Sequence, residues 1–181
     1  MTSHTSPPPL YREEQRFRSL WLWLLVLLVV ALNWWIFLQQ IVLGKPAGNR
    51  PGPDWLVWVI WLLFGVGLPI FFYRLALVVE VHDDAVHVRF APLVNRRIPA
   101  EEIQDVEATT YRPVREYGGW GVRGVSRRNV AYNVSGNRGV RLTLRDGSRV
   151  LIGSQQPEAL ATAIAATKKV ANSPGVGNLD G

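Results

Sequence analysis

The chain has 181 residues, a formal net charge of +6 and no cysteine. That length accommodates one ordinary domain plus membrane segments, and the absence of thiols excludes a disulfide framework, thiolate metal sites and cysteine nucleophiles. The composition is split: residues 1–73 hold seven of the eight Trp but only eight charged side chains, whereas residues 74–181 carry 15 Lys or Arg against 11 Asp or Glu.

Residues 1–18 begin with MTSHTSPPP, without apolar periodicity, and continue into a polar, charged stretch, which predicts a disordered tail. Leu20 to Leu43 then runs for 24 residues without a charge, longer than the roughly 20 needed to cross about 30 Å of hydrocarbon. The run continues into ALNWWIFLQQ with no small-residue cleavage site, so it reads as an uncleaved span over 19–43 rather than a secretory signal. Asn33 is the polar group expected in the lipid layer, in an interhelical hydrogen bond of about 0.6–2 kcal/mol.

Residues 44–54, GKPAGNRPGPD, read as a tight external turn. A second span is expected over 55–73, kinked near Pro69, with Gly65 and Gly67 allowing close helix approach. Trp55, Trp58 and Trp61 recur every third residue and share a helical face, which in an antiparallel hairpin faces Trp34 and Trp35. These indoles read as packing and an interfacial belt, not a cofactor box. Arg12, Arg16 and Arg18 flank the first span and Arg74 follows the second, against Lys45 and Arg50 in the turn between them. The positive-inside rule then predicts a multi-pass protein of the inner membrane with both termini and the following domain in the cytoplasm.

After Arg74 the period changes to two. Val79, Val81, Val86, Val88 and Phe90 fall on one face of a hairpin and Glu80, His87 and Arg89 on the other, with Asp83 and Asp84 at the turn. Further strands are expected near 94–98, 103–111 and 131–134, and a hairpin around Asp146-Gly147. The Gly- and Arg-rich stretch 112–129 reads as a long connection. PEALATAIAATKKVA, with Pro157 in the first turn, reads as a closing helix, and 172–181 as a second disordered tail.

Two spans, seven short strands and one helix, together with RRIPAEEIQDV at 96–106, YGGWGVRG at 117–124 and AYNVSGNRGVRLTLRDGSRVLIGSQQPEAL at 131–160, resemble the membrane-anchored bacterial pleckstrin-homology-like proteins. The resemblance covers residues 75–171. It implies a membrane helical hairpin plus an α+β domain, a seven-stranded antiparallel split barrel capped by a C-terminal helix, and it supplies a location more than an activity. In eukaryotic relatives, phosphoinositide headgroups are held by basic residues on the first strand and its turn. Here that turn is His82-Asp83-Asp84, so no such pocket is carried over.

Catalytic signals are weak. Gly119 to Gly124 matches G-x-G-x-x-G, but between predicted strands rather than at a strand–helix junction. Asn133-Val134-Ser135 is a glycosylation sequon on the expected cytoplasmic side. His82, Asp83, Asp84 and His87 lack a third convergent element for a metal, and Glu101 and Glu102 read as a turn. No enzyme, cofactor, metal or nucleic-acid partner is expected.

The arginines carry the sharper signal. If the first strand leaves the membrane, a meander returns the turns after strands two, four and six to it. Those turns contain Arg96 and Arg97; Arg112, Arg115, Trp120, Arg123, Arg127 and Arg128; and Arg145 and Arg149. The expectation is a non-enzymatic accessory or adaptor module on the inner leaflet, with the bilayer and a membrane or cytoplasmic protein as partners. The alternatives are an anionic-phospholipid sensor acting through 112–129, and a subunit of a membrane enzyme or transporter.

Overall fold

The structure, a computed structural model, describes residues 8–17, 19–46, 48, 52–126 and 129–172. The chain divides into two compact units, a helical one over Phe17–Leu75 and a β-rich one built from the chain on both sides of it.

In the helical unit, Leu20–Val42 and Asp54–Arg74 are both long and apolar enough to cross a membrane. The first comprises α1 (Leu20–Phe37) and a π-helical segment Leu38–Val42; the second comprises α2 (Asp54–Ile60), a π-helical segment Trp61–Gly67 and α3 (Leu68–Arg74). Pro69 explains the irregularity in the second helix. It has no N–H, so the carbonyl of Gly65, its partner in a regular α-helix, loses its donor. The indole N–H of Trp34 in α1 donates to that carbonyl at 3.3 Å. Gly65 also permits close packing within its own helix, since a Cβ there would meet the Trp61 ring at 3.0 Å.

The β-rich unit is α+β, with a four-stranded sheet, a five-stranded sheet and the C-terminal helix α5 (Pro157–Asn172). The first sheet has the order β1-β2-β3-β4, from Tyr11–Arg16, Ala76–Val81, Ala85–Ala91 and Val94–Pro99. A short 3-10 turn, Ala100–Glu102, leads into the second sheet, ordered β5-β8-β9-β7-β6. Its strands are β5 (Ile103–Thr110), β6 (Gly121–Ser126), β7 (Asn129–Asn133), β8 (Arg138–Leu144) and β9 (Arg149–Gly153). The helix α4 (Pro113–Tyr117) precedes β6. Strand alternation places Leu77, Val79, Val81, Val86, Val88 and Phe90 in the core, and α5 covers it with Leu160, Ile164 and Thr167 at helical spacing.

Among the described residues nine strands stand where seven were expected. The expected tail 1–18 contributes β1, which pairs along its whole length with β2 from Tyr11↔Val81 to Arg16↔Ala76. The stretch 112–129, expected as a connection, contains α4 and β6. The antiparallel expectation fails at one place, because β9 lies between β8 and β7 and runs parallel to β7. The β unit is therefore discontinuous in sequence. The helical unit is inserted between two neighbouring strands, and both connections to it leave from the paired residues Arg16 and Ala76.

A carboxylate locks β1 in place. Glu13 accepts hydrogen bonds from Tyr11 Oη at 2.7 Å, Gln15 Nε2 at 3.0 Å, Ser154 Oγ at 2.6 Å and the Gln155 N–H at 2.7 Å. Gln15 Nε2 also donates to the Gly153 carbonyl at 2.8 Å, joining β1 to the end of β9. Burial and the adjacent Glu13 carboxylate together push the Tyr11 phenol up to about 12.

Candidate surface site at the α4–β6 lobe

The expected single group of arginines is divided by the strand directions. β6 inserts one strand into what read as a loop, which reverses the end at which every later turn lies. The β8–β9 turn accordingly lies beside the 3-10 turn, where the Arg145 N–H donates to the Glu102 carbonyl at 2.9 Å. The Ala100 N–H bonds the Asp84 carbonyl at 2.9 Å in the same region, so Arg145 sits at the acidic end. Arg149 opens β9 opposite Asn129 and Thr143, also away from the α4 end. Arg96 is half-buried in the body of β4 opposite Val88, and Arg97 pairs with His87 across the sheet. The Arg97 guanidinium contacts Asp84 at 2.5 Å and holds that carboxyl below its ordinary range. Arg127 and Arg128 lie outside the described residues.

Arg112, Arg115, Trp120 and Arg123 remain together at the other end. Pro113 starts α4 with a preset φ, the Arg112 N–H donates to Glu116 Oε1 at 2.8 Å, and Gly118 ends the helix at φ 73°. Gly119 and Gly121 continue at φ 126° and 114°, a backbone path that glycine alone takes without strain. The path presents Trp120, whose indole N–H donates to the Gly136 carbonyl at 3.1 Å, and Arg123, whose Nε donates to the Trp120 carbonyl at 3.2 Å.

The lobe is anchored by a small core of Tyr111, Ala131 and Leu151 with Tyr117 packed against it. Burial raises the Tyr111 phenol, and its hydroxyl has no hydrogen-bond partner among the described residues. Gly153 is required here, since a Cβ would lie 2.9 Å from that of Asn133.

What distinguishes this lobe is that three arginines without a carboxylate partner among the described residues fall within one short stretch. Arg12 pairs with Glu80 at 2.8 Å, Arg16 with Glu14 at 2.8 Å, Arg138 with Glu158 at 2.5 Å and Arg141 with Glu107 at 3.6 Å. Arg112, Arg115 and Arg123 have no carboxylate partner among the described residues. Two exposed apolar residues that the sequence did not single out, Val114 on α4 and Leu93 in the β3–β4 turn, belong to the same end of the unit. The end is one place because Gln15, in the row Gln15–Leu77–Phe90–Val94, bonds Gly153 beside Tyr111.

The other candidates resolve simply. His82 and His87 have ring centroids 5.1 Å apart, but no group of three metal-ligating side chains converges among the described residues. Gly119 to Gly124 opens a strand rather than a helix, and sequon residue Asn133 is fully buried. In the helical unit, Trp34 meets Trp61 edge to face at 5.2 Å, and Phe37 contacts both Trp58 and Trp61. Trp35 and Trp55 are exposed, and Asn33 donates to the Val29 carbonyl of its own helix at 2.8 Å. Phe37 was not legible as a packing residue, because nothing in an unbroken apolar run marks which face turns inward.

The family of unknown function DUF6141 matches residues 6–171, which takes in β1, both long helices, both sheets and α5. No curated protein and no solved structure matches the chain.

Proposed function

Since the chain belongs to DUF6141, a family of unknown function, its role has to follow from its own residues, and we propose a two-span membrane protein whose β unit is a non-enzymatic accessory or adaptor module at the cytoplasmic face of the inner membrane. The observation that carries this is the pairing of β1 with β2. Chain segments before and after the helical unit belong to one sheet, so they must lie on the same side of any membrane the helices cross. Two crossings satisfy that condition and one does not. The lysine and arginine count selects the cytoplasm as that side.

The relation to pleckstrin-homology-like proteins is part of the same proposal. Strands β2–β5 and β7–β9 followed by α5 run in the order of that resemblance, with β1 and β6 as additions. An adaptor role is favoured over catalysis by where the candidate groups lie: His82 and His87 flank one hairpin turn and Glu101 and Glu102 form a 3-10 turn.

The test uses the absence of native cysteine. Single cysteines at Gly48 and at Glu101 are exposed to a membrane-impermeant maleimide in intact cells. Labelling of the first, with labelling of the second only after permeabilisation, is the expected result. The reverse pattern overturns the orientation, and labelling of both overturns the spanning arrangement.

A further inference from the structure

We propose that the α4–β6 lobe is a docking surface for anionic phospholipid, an inference that rests on the membrane-anchored reading above. Arg12, Arg97, Arg138 and Arg141 are each matched with a carboxylate, whereas Arg89, Arg96 and Arg149 are dispersed single residues on separate strands. Here Arg112, Arg115 and Arg123, with no carboxylate partner among the described residues, flank in the chain two exposed apolar side chains: Val114 is 65% exposed and Trp120 40% exposed. Cations around an aromatic and an aliphatic residue fit the bilayer interface, where phosphate meets the guanidinium and the indole body occupies the headgroup zone while its N–H is satisfied. In Trp120 that N–H is already bonded to Gly136, so the ring enters the interface without a stranded donor.

The location agrees with the chemistry. Leu93, 55% exposed, sits in the turn joining β3 to β4 at the end from which Arg16 and Ala76 continue into the helical unit. The β3–β4 turn and the α4–β6 lobe are thus on the end of the β unit nearest its covalent connections. Neither Asp83, Asp84, Glu101 nor Glu102 is at this end.

The full chain, with Val114→Cys carrying an environment-sensitive fluorophore, is reconstituted into vesicles of phosphatidylcholine alone or mixed with phosphatidylglycerol, and quenching by nitroxide-labelled lipid is measured. A probe at Glu101→Cys provides the reference. Quenching of the Val114 probe is expected in anionic vesicles, reduced by salt and by Arg112→Glu with Arg115→Glu, with the docked-to-undocked ratio falling roughly five-fold for each arginine's contribution removed. The Glu101 probe is expected to stay unquenched. Equal quenching in neutral vesicles overturns the assignment of anionic lipid. A Val114 probe unquenched in both lipids overturns the docking surface and leaves the face to a protein partner. A chain removed from the vesicles by alkaline extraction overturns the spanning reading as well, which separates the two failures.

Discussion

Each of the two units satisfies a polar group through a residue distant in sequence, and the two solutions use different chemistry. In the helical unit the Gly65 carbonyl, deprived of its helical donor by Pro69, receives the neutral indole N–H of Trp34. In the β unit four donors, from β1 and the connection between β9 and α5, converge on the ionisable Glu13 side chain. A charge is tolerable where the cluster is partly exposed, whereas an apolar layer penalises any ion and leaves a neutral donor as the economical partner. In each unit the fold brings the donor to its acceptor.

The comparison is sharpened most by removing β1. A chain of residues 76–172 leaves the β2 edge unpaired, and it is expected to aggregate or unfold. Residues 8–16 joined by a short Gly/Ser linker to 76–172 should restore a cooperative thermal transition, because Arg16 and Ala76 are directly paired and such partners lie about 5 Å apart. Cooperative unfolding of 76–172 at equal stability would sink the view that β1 is integral.

Glu13→Ala leaves Tyr11 Oη, Ser154 Oγ and the Gln155 N–H without their acceptor, while Gln15 Nε2 keeps the Gly153 carbonyl. It should cost about 2–3 kcal/mol in denaturant unfolding of the linked β unit, given that hydrogen bonds to a charged group contribute about 1.5–3 kcal/mol. Loss of less than a third of that amount means water replaces the carboxylate, and the contrast with the helical unit disappears.

Trp34→Phe removes the donor to Gly65 but keeps an aromatic body. A loss of about 1 kcal/mol in helix–helix association is expected, read by unfolding in detergent. Pro69→Ala restores a backbone donor for Gly65, so the Trp34→Phe penalty should be smaller in that background. Equal penalties in both backgrounds would show that Trp34 acts by packing alone.

The smallest effect is a dependence on pH. Tyr11 has its ordinary value of 10.0 when unfolded and about 12 when folded, so the folded state holds the proton more tightly. Its contribution is complete below pH 10 and is lost as pH rises towards 12. Tyr11→Phe should flatten the stability of the linked β unit over that window, and an unchanged slope would assign the alkaline loss to other groups.

Much of the site was readable from local patterns, but its grouping was not. Arg112, Arg115, Trp120 and Arg123 stand within a dozen residues, so their proximity follows from the sequence. Their separation from Arg145 and Arg149 does not, because it depends on whether GVRGVS at 121–126 is a strand. Its two glycines and positive-φ approach suppress the alternation that marks β2 and β3. YREEQR at 11–16 was hidden for a different reason: its inward positions Tyr11, Glu13 and Gln15 are nearly as polar as its outward ones, so no face looks buried until Ser154 and Gly153 are opposite it.

The sequence by itself determined the two apolar helices, the hairpins around Asp83-Asp84 and Asp146-Gly147, and the closing helix, because each is specified by periodicity or turn chemistry within a few residues. Only the tertiary structure decided that β1 belongs to the first sheet, that β9 separates β7 from β8, and that Trp34 serves Gly65. Those are pairings between residues 31 to 142 positions apart or strand orders set by competition for one sheet edge. Backbone groups must find partners, but no local pattern says which distant segment provides them.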